Sequence, residues 1–499
     1  MCGIFGLITK RKSEVSKVIS YFSKLRHRGE DFIYIAYKEE LNDKEEVIKA
    51  KNFNELIEKT QGLKAKFLIG MNYFSVFGEP IVFNDFVFNA EIYNLDYLKE
   101  LINVKKLKND GIILRELAKE RKTNLIDGIF AYSLIENNKL ILERDKIGIN
   151  PLFFKVSDNY FIFASENKVV NGTALNPRFK LYFDFKKWRI KLKKEKNLFK
   201  LENPFFFYLK NKKFNKKELI ETIERELINS ILRQTNYLNK VGIYFSGGID
   251  SLFISKILQE NNKKFTCLIS GTEDSKDLNL AIKVAEEFGF NYNVNIFDKE
   301  KVKEELNNII YYMESTDLMK VGVAIPLYFS GKLNNARVVL SGIGSEELFG
   351  GYESHKNNIK LMTKLGLLKI WERDLYRDNV ISFATNNELR VPFLNEALIW
   401  LSRKIPDNLK IRKPKKEELE KIKKIDNNFK GYCKKYILRL IAEKHIGIFA
   451  WRPKKAAQYG SKSEKIIEKL AKEKGLYKKQ FLNSLKPEYE KIEEIINVY

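Results

Sequence analysis

The run Val241-Gly242-Ile243-Tyr244-Phe245, continuing into Ser246-Gly247-Gly248-Ile249-Asp250-Ser251 and a helical stretch from Leu252, constrains this chain more than any other feature. An unbroken apolar run of this length suits a strand buried on both faces. The loop after it is made of small residues, which let backbone N–H groups close around an anion. Serine hydroxyls can donate to that anion, and the following helix N-terminus adds its positive end. A strand, an anion loop and a helix in that order call for a parallel sheet wrapped by helices. The lysine of the GxxxxGK[ST] pattern is missing, which argues for a pyrophosphate site and against a γ-phosphate transferase.

The same pattern extends from about residue 215 onward, where long amphipathic helices alternate with apolar runs at 265–270 and 338–340. The first 171 residues read differently. Short alternating strands at 67–76, 81–88, 130–135, 140–143 and 160–163, with few helices, predict an α+β layer domain. Residues 172–214 are aromatic and lysine-rich and contain Pro177 and Pro204, which suggests closing strands and then a linker. The expected organisation is therefore a first domain at 2–185, a linker at 186–214 and an α/β domain at 215–499. A length of 499 residues agrees with two large domains.

At the front, Cys2 follows Met1, and removal of the methionine leaves a cysteine with its own α-amine, whose usual pKa near 8 makes it a general base for the adjacent thiol. A cysteine at position 2 means little alone. Here it is followed in order by Gly3-Ile4-Phe5-Gly6, Arg26-His27-Arg28-Gly29, Asn89-Ala90-Glu91-Ile92-Tyr93-Asn94 and Arg144-Asp145-Lys146-Ile147-Gly148-Ile149-Asn150-Pro151-Leu152. The other cysteines, Cys267 and Cys433, are distant and lack CxxC spacing. With three histidines in all, neither a disulfide framework nor a zinc site is indicated.

These segments resemble the glutaminase half of asparagine synthetase and other class II amidotransferases. The resemblance implies an N-terminal-nucleophile fold of two stacked sheets between helices (αββα), with Cys2 as nucleophile. It implies an oxyanion hole from Asn89 and Ala90, and glutamine binding by Asn89, Ala90, Glu91 and Asp110. Neutral donors aimed at a developing oxyanion are what such chemistry needs. Two positions depart from the pattern. Ala90 replaces a glycine, which is harmless only where φ is negative. The arginine that clamps the glutamine carboxylate is replaced in Tyr73-Phe74-Ser75-Val76, a loss of about 2 to 3 kcal/mol unless Lys66 or Arg28 substitutes.

The anion loop in turn resembles that of the PP-loop ATP pyrophosphatases. Ser275-Lys276-Asp277-Leu278, Ser341-Gly342-Ile343-Gly344-Ser345-Glu346-Glu347-Leu348-Phe349-Gly350-Gly351-Tyr352, Arg390-Val391-Pro392-Phe393-Leu394 and Lys435-Tyr436-Ile437-Leu438-Arg439 have counterparts in asparagine synthetases. By that resemblance ATP lies against Phe245, Ser246, Gly247, Gly248, Asp250, Ser251, Ile269, Ser341 and Gly342. Asp250 holds Mg2+, and the catalytic Lys435 neutralises phosphate charge. The ion itself follows from phosphate chemistry. Ile343 stands where asparagine-forming members carry a glutamate, and Met319-Lys320-Val321-Gly322 stands where they recognise aspartate. Arg452-Pro453-Lys454-Lys455-Ala456-Ala457-Gln458-Tyr459-Gly460-Ser461 is a basic segment that either faces phosphates or forms a salt-bridged surface helix.

The expected reaction is an ATP-dependent ligation: glutamine is hydrolysed at Cys2, the ammonia passes internally, and it displaces AMP from an adenylated carboxylate. Aspartate is the favoured acceptor, giving asparagine, glutamate, AMP and pyrophosphate; another carboxylate is the alternative. The net charge of +25 is spread through the chain among 65 acidic residues, which suits a solvated surface better than a nucleic-acid footprint, apart from the run Lys191, Lys193, Lys194, Lys196. A tRNA-modifying enzyme and a nucleotide-binding scaffold without activity are the rival readings. No apolar run is long enough to cross a bilayer and no leader is evident, so a cytoplasmic enzyme without membrane contact, and a homodimer, are expected.

Overall fold

The computed structural model describes residues 2–76, 78–102, 109–427, 429–453 and 461–496. The chain divides into two compact units, the first formed by Met1–Leu198, Glu202–Phe205 and Glu488–Tyr499, the second by Phe199–Leu201 and Phe206–Pro487.

In the first unit, strands β1 (Gly3–Glu14), β2 (Phe32–Lys38), β3 (Glu46–Ala50) and β4 (Lys64–Tyr73) belong to one sheet. Strands β5 (Phe86–Ile92), β6 (Gly128–Glu136) and β7 (Lys139–Arg144) belong to another. Next, β8 (Phe153–Val156), β9 (Tyr160–Ala164) and β10 (Thr173–Ala174) return to the first sheet, and β11 (Phe179–Asp184) and β12 (Arg189–Lys194) to the second. The orders are β10-β8-β9-β1-β4-β2-β3 and β12-β11-β7-β6-β5, and all pairings are antiparallel. Alternation puts Ile4, Ile8, Phe67, Ile69 and Met71 of the first sheet into one core with Phe86, Phe88, Phe130 and Tyr132 of the second. On the other face of β1, Phe5 stacks on Phe22 of helix α1 (Val15–Phe22) at 4.5 Å between ring centroids.

Two expectations need correction. Residues 81–85 are not strand, because the N–H and C=O of Ile81 are both bonded to the Tyr73 hydroxyl. Nor are residues 186–214 a linker throughout: β12 extends the second sheet, and the change of unit falls between residues 199 and 206. The chain also comes back to its first unit at the end. Ile492 is buried, Glu490 meets Lys24 at 3.1 Å, and Glu493 meets Lys155 at 2.7 Å and the Tyr160 hydroxyl.

The second unit holds a five-stranded parallel sheet, ordered β15-β14-β13-β16-β17, of β13 (Val241–Tyr244), β14 (Phe265–Gly271), β15 (Tyr292–Ile296), β16 (Val338–Leu340) and β17 (Glu388–Arg390). Asn215 starts its first helix, Lys216–Gln234, with a capping box: its side chain accepts the Glu218 N–H, and the Glu218 carboxylate accepts the Asn215 N–H, both at 3.0 Å. The chain order reverses between β13 and β16, so the loops after these strands open on the crevice where parallel α/β sheets bind ligands. Among the described residues no helix is long and apolar enough to cross a membrane.

Candidate active sites

Cys2 precedes β1 and is buried. Its backbone nitrogen, the atom that becomes the α-amine once Met1 is gone, donates to Asn89 Oδ1 at 3.0 Å. Asn89 is fully buried, and its Nδ2 has no partner among the described residues. The Asn89 carbonyl accepts from Asn150 Nδ2 at 3.0 Å, and Asp145 in turn gathers the N–H groups of residues 147–150. The Arg144–Leu152 motif thus buttresses Asn89 from behind.

Ala90 answers the question raised by its missing glycine. It lies within extended β5 and has negative φ. The Phe130 carbonyl accepts the Asp145 N–H at 2.7 Å, so Phe130 faces β7, and Ala90, its register partner, turns its own N–H to the free edge of β5. Two residues on, the Ile92 N–H points the same way and is taken by Asp110 Oδ2 at 2.7 Å. Glu91 lies between them, also buried.

Both expected substitutes for the absent arginine are engaged by carboxylates of this chain. Arg28 is fully buried with Nη1 2.6 Å from Glu166 Oε1, an oxygen also 2.8 Å from His27 Nε2. Burial lowers the His27 pKa to about 4, so this ring is neutral near pH 7. Lys66 pairs with Glu40 at 2.6 Å at the opposite end of β4 from Tyr73. The Tyr73 hydroxyl donates to the Ile81 carbonyl at 2.6 Å and accepts its N–H at 2.9 Å, pinning the segment after β4. The basic run at 191–196 is also divided: Lys193 pairs with Glu195, and Lys196 reaches the buried Glu143 at 2.5 Å.

In the second unit Gly247 adopts φ of +61°, which favours glycine, and the loop closes through Ser246 N–H to Ser251 Oγ at 3.3 Å and Gly248 N–H to Ser246 Oγ at 3.4 Å. Asp250 opens the helix Ile249–Glu260. Gly342, after β16, admits no side chain, since a Cβ there would lie 2.6 Å from that of Asp250. Ser341 and Gly342 therefore lie against the loop after β13. Phe245 and Ile269 are buried in the sheet, with Phe245 edge-on to Phe290.

Lys435 supplies the charge. Its Nζ lies 2.9 and 2.8 Å from the Asp250 oxygens, 2.9 Å from Ser345 Oγ and 2.7 Å from Glu346 Oε1. It is buried, with φ of +53°, a conformation held by its surroundings against a local cost. Glu346, which the sequence shows only as part of the Ser341–Tyr352 segment, is thus the second carboxylate around Lys435. The Ser-Gly-x-Gly-Ser-acid spacing was the signal for it. Next to it Glu347 is buried beside Arg373; burial raises its pKa to about 6. Met319 is 63% exposed at the start of the helix Leu318–Gly331, and the Gly322 carbonyl accepts from Ser463 Oγ at 2.6 Å. Residues 454–460 of the basic segment lie outside the described residues.

A nucleophile-and-amide site in a two-sheet unit, joined to a parallel-sheet unit with an anion loop, defines a glutamine-dependent carbon–nitrogen ligase. Comparison with known proteins is specific about which kind. The asparagine synthase family model matches residues 222–373 and 355–488, and that of the glutamine amidotransferase domain matches residues 80–172. A Methanocaldococcus jannaschii protein described as "putative asparagine synthetase 1 (glutamine-hydrolysing)" is 32% identical over 97% of this chain and 99% of its own. Asparagine synthetase 3 (glutamine-hydrolysing) of Arabidopsis thaliana is 25% identical, covering 88% of this chain and 77% of its own. The chain belongs to the asparagine synthetase family of glutamine-hydrolysing amidotransferases.

Proposed function

We propose that this enzyme makes asparagine from aspartate, glutamine and ATP. After Met1 is removed, the Cys2 amine takes the thiol proton and the sulfur attacks the glutamine amide. Asn89 Nδ2 and the Ala90 N–H receive the oxyanion, while Glu91 and Asp110 bind the glutamine amine. The Cys2 amine returns the thiol proton to the leaving nitrogen, so the adduct collapses to a thioester and ammonia; water then hydrolyses the thioester to glutamate, and the ammonia serves the second unit. The observation that carries the first step is the Cys2 nitrogen on Asn89 Oδ1, with Nδ2 left without a partner among the described residues.

In the second unit the aspartate β-carboxylate attacks the α-phosphorus of ATP, pyrophosphate leaves, and ammonia displaces AMP from the mixed anhydride. Residues 246–251 cradle the phosphates. Asp250 and Glu346 share one ammonium and present hard oxygen donors, the donor type that would hold a magnesium ion. Such an ion supplies charge neutralisation on the phosphates. Lys435 is the protein's own cation there.

A second reading keeps this chemistry and changes the acceptor, because Ile343 offers no acid or base and Met319 faces solvent. One experiment tests both: mass spectrometry of products from ATP, Mg2+, amide-labelled glutamine and aspartate, with Cys2→Ala as control. Labelled asparagine with AMP, lost in Cys2→Ala, is expected. AMP or glutamate without asparagine would overturn aspartate as acceptor, and release of neither glutamate nor pyrophosphate would overturn the whole reading.

A further inference from the structure

Arg452 Nη1 donates to the Gly247 carbonyl at 3.0 Å, across 205 positions of sequence. In a loop that turns its N–H groups toward an anion, a carbonyl turned outward needs its own donor, and this guanidinium is that donor for Gly247. A Cβ at Gly247 would lie 3.4 Å from Arg452 Nη1 and 3.1 Å from the Ala281 Cα, so guanidinium and helix both pack directly on the loop backbone. The other cation of the site, Lys435, reaches the same loop at Asp250.

Both cations are fixed by one residue. Arg439, buried one turn into the helix Tyr436–Ile446, donates Nε to the Lys434 carbonyl at 2.8 Å. Its Nη1 donates to the carbonyls of Ala450 at 2.6 Å and Arg452 at 3.0 Å. The first bond holds the turn in which Lys435 takes its positive φ, and the other two hold the turn from which Arg452 reaches back to Gly247. A planar guanidinium with fixed donor directions can satisfy both turns at once, and a lysine ammonium cannot reproduce that geometry.

We propose that Arg439 is the positioning residue of the pyrophosphate site, setting Lys435 and Arg452 against the loop 246–251 together. This rests on the reading of that loop as the phosphate cradle. Arg439 touches no phosphate; its effect passes through the two cations, and it should be felt by polyphosphate and not by the nucleoside end of the nucleotide.

The test is calorimetric titration of the full-length protein with magnesium pyrophosphate and, separately, with adenosine. Arg439→Met is expected to weaken pyrophosphate at least tenfold and adenosine less than twofold. Arg439→Lys, the milder change, is expected to weaken pyrophosphate at least threefold and serves if Arg439→Met does not fold. Arg452→Met should weaken pyrophosphate too, and adding it to Arg439→Met should cost less than the product of the two single effects. Wild-type pyrophosphate affinity in Arg439→Lys, or equal loss of adenosine and pyrophosphate in either variant, would overturn the proposal. Failure of the wild-type protein itself to bind pyrophosphate would instead overturn the phosphate reading of the loop.

Discussion

The Cys2 nitrogen and Asn89 Oδ1 lie 3.0 Å apart, which leaves the other end of that buried amide, Nδ2, a donor with no partner among the described residues. Asn89→Asp keeps an acceptor for the amine and replaces the donor with an anion where negative charge must develop. Glutamine hydrolysis should fall about 100- to 1000-fold, the range seen when one oxyanion donor is lost. The ammonia-dependent reaction should stay within about twofold, since its chemistry lies in the other unit. Glutamate release and ammonia-driven AMP formation, measured side by side, check this; equal loss of both would mean a folding defect.

Lys66 is paired with Glu40 at the end of β4 away from Tyr73. Lys66→Ala should leave the KM for glutamine within twofold and cost no more than about 1 kcal/mol of stability, as for a solvent-exposed pair. A severalfold rise in KM without change in kcat would restore Lys66 to the site. Tyr73→Phe removes the hydroxyl that both accepts from and donates to Ile81, and steady-state kinetics should show a larger effect on glutamine use than Lys66→Ala.

Lys435 separates two carboxylates that would otherwise face each other. Lys435→Met should destabilise the protein by about 3 to 5 kcal/mol, the usual result of removing one member of a buried ion group. Magnesium should recover part of that loss. In thermal melts at matched ionic strength, MgCl2 should raise the midpoint of Lys435→Met more than that of the unaltered protein; an equal shift would show that Asp250 and Glu346 do not form a cation site.

What could be read from the sequence were features made by neighbours in the chain. The strand, loop and helix around Ser246–Ser251 and the cysteine behind Met1 are local patterns, and their chemistry follows from residue type. What could not be read depends on partners far away. The segment at 81–88 has the apolar look of a strand, yet Tyr73 takes both polar groups of Ile81 and pairing begins only at Phe86. The return of Glu493 to Lys155 and Tyr160 rests on contacts spanning more than 300 residues, which no periodicity records. Ala90 stayed open between harmless and strained because sequence does not show φ.

The pH behaviour of β6, β7 and β11 should depend on Glu143. It is fully buried, accepts from Thr123 Oγ1 at 2.7 Å and from the Tyr132 hydroxyl, and pairs with Lys196 at 2.5 Å and Lys180 at 3.0 Å. Burial works to raise its pKa, but the two ammonium groups outweigh it and bring the value to about 2, against a usual 4.5. A carboxyl whose folded pKa is depressed adds stability above its unfolded pKa, and that stability is lost as pH falls through the folded value. The contribution, about 3 kcal/mol, should thus be complete above about pH 4.5 and gone near pH 2. Glu143→Gln strands Lys180 and Lys196 and should destabilise the unit by a similar amount at pH 7, the gap from the unaltered protein closing between pH 4.5 and 2. Hydrogen exchange of peptides from β6, β7 and β11, followed in urea across that range, measures the gap. If it stays constant with pH, the charge of Glu143 is not what holds these strands together.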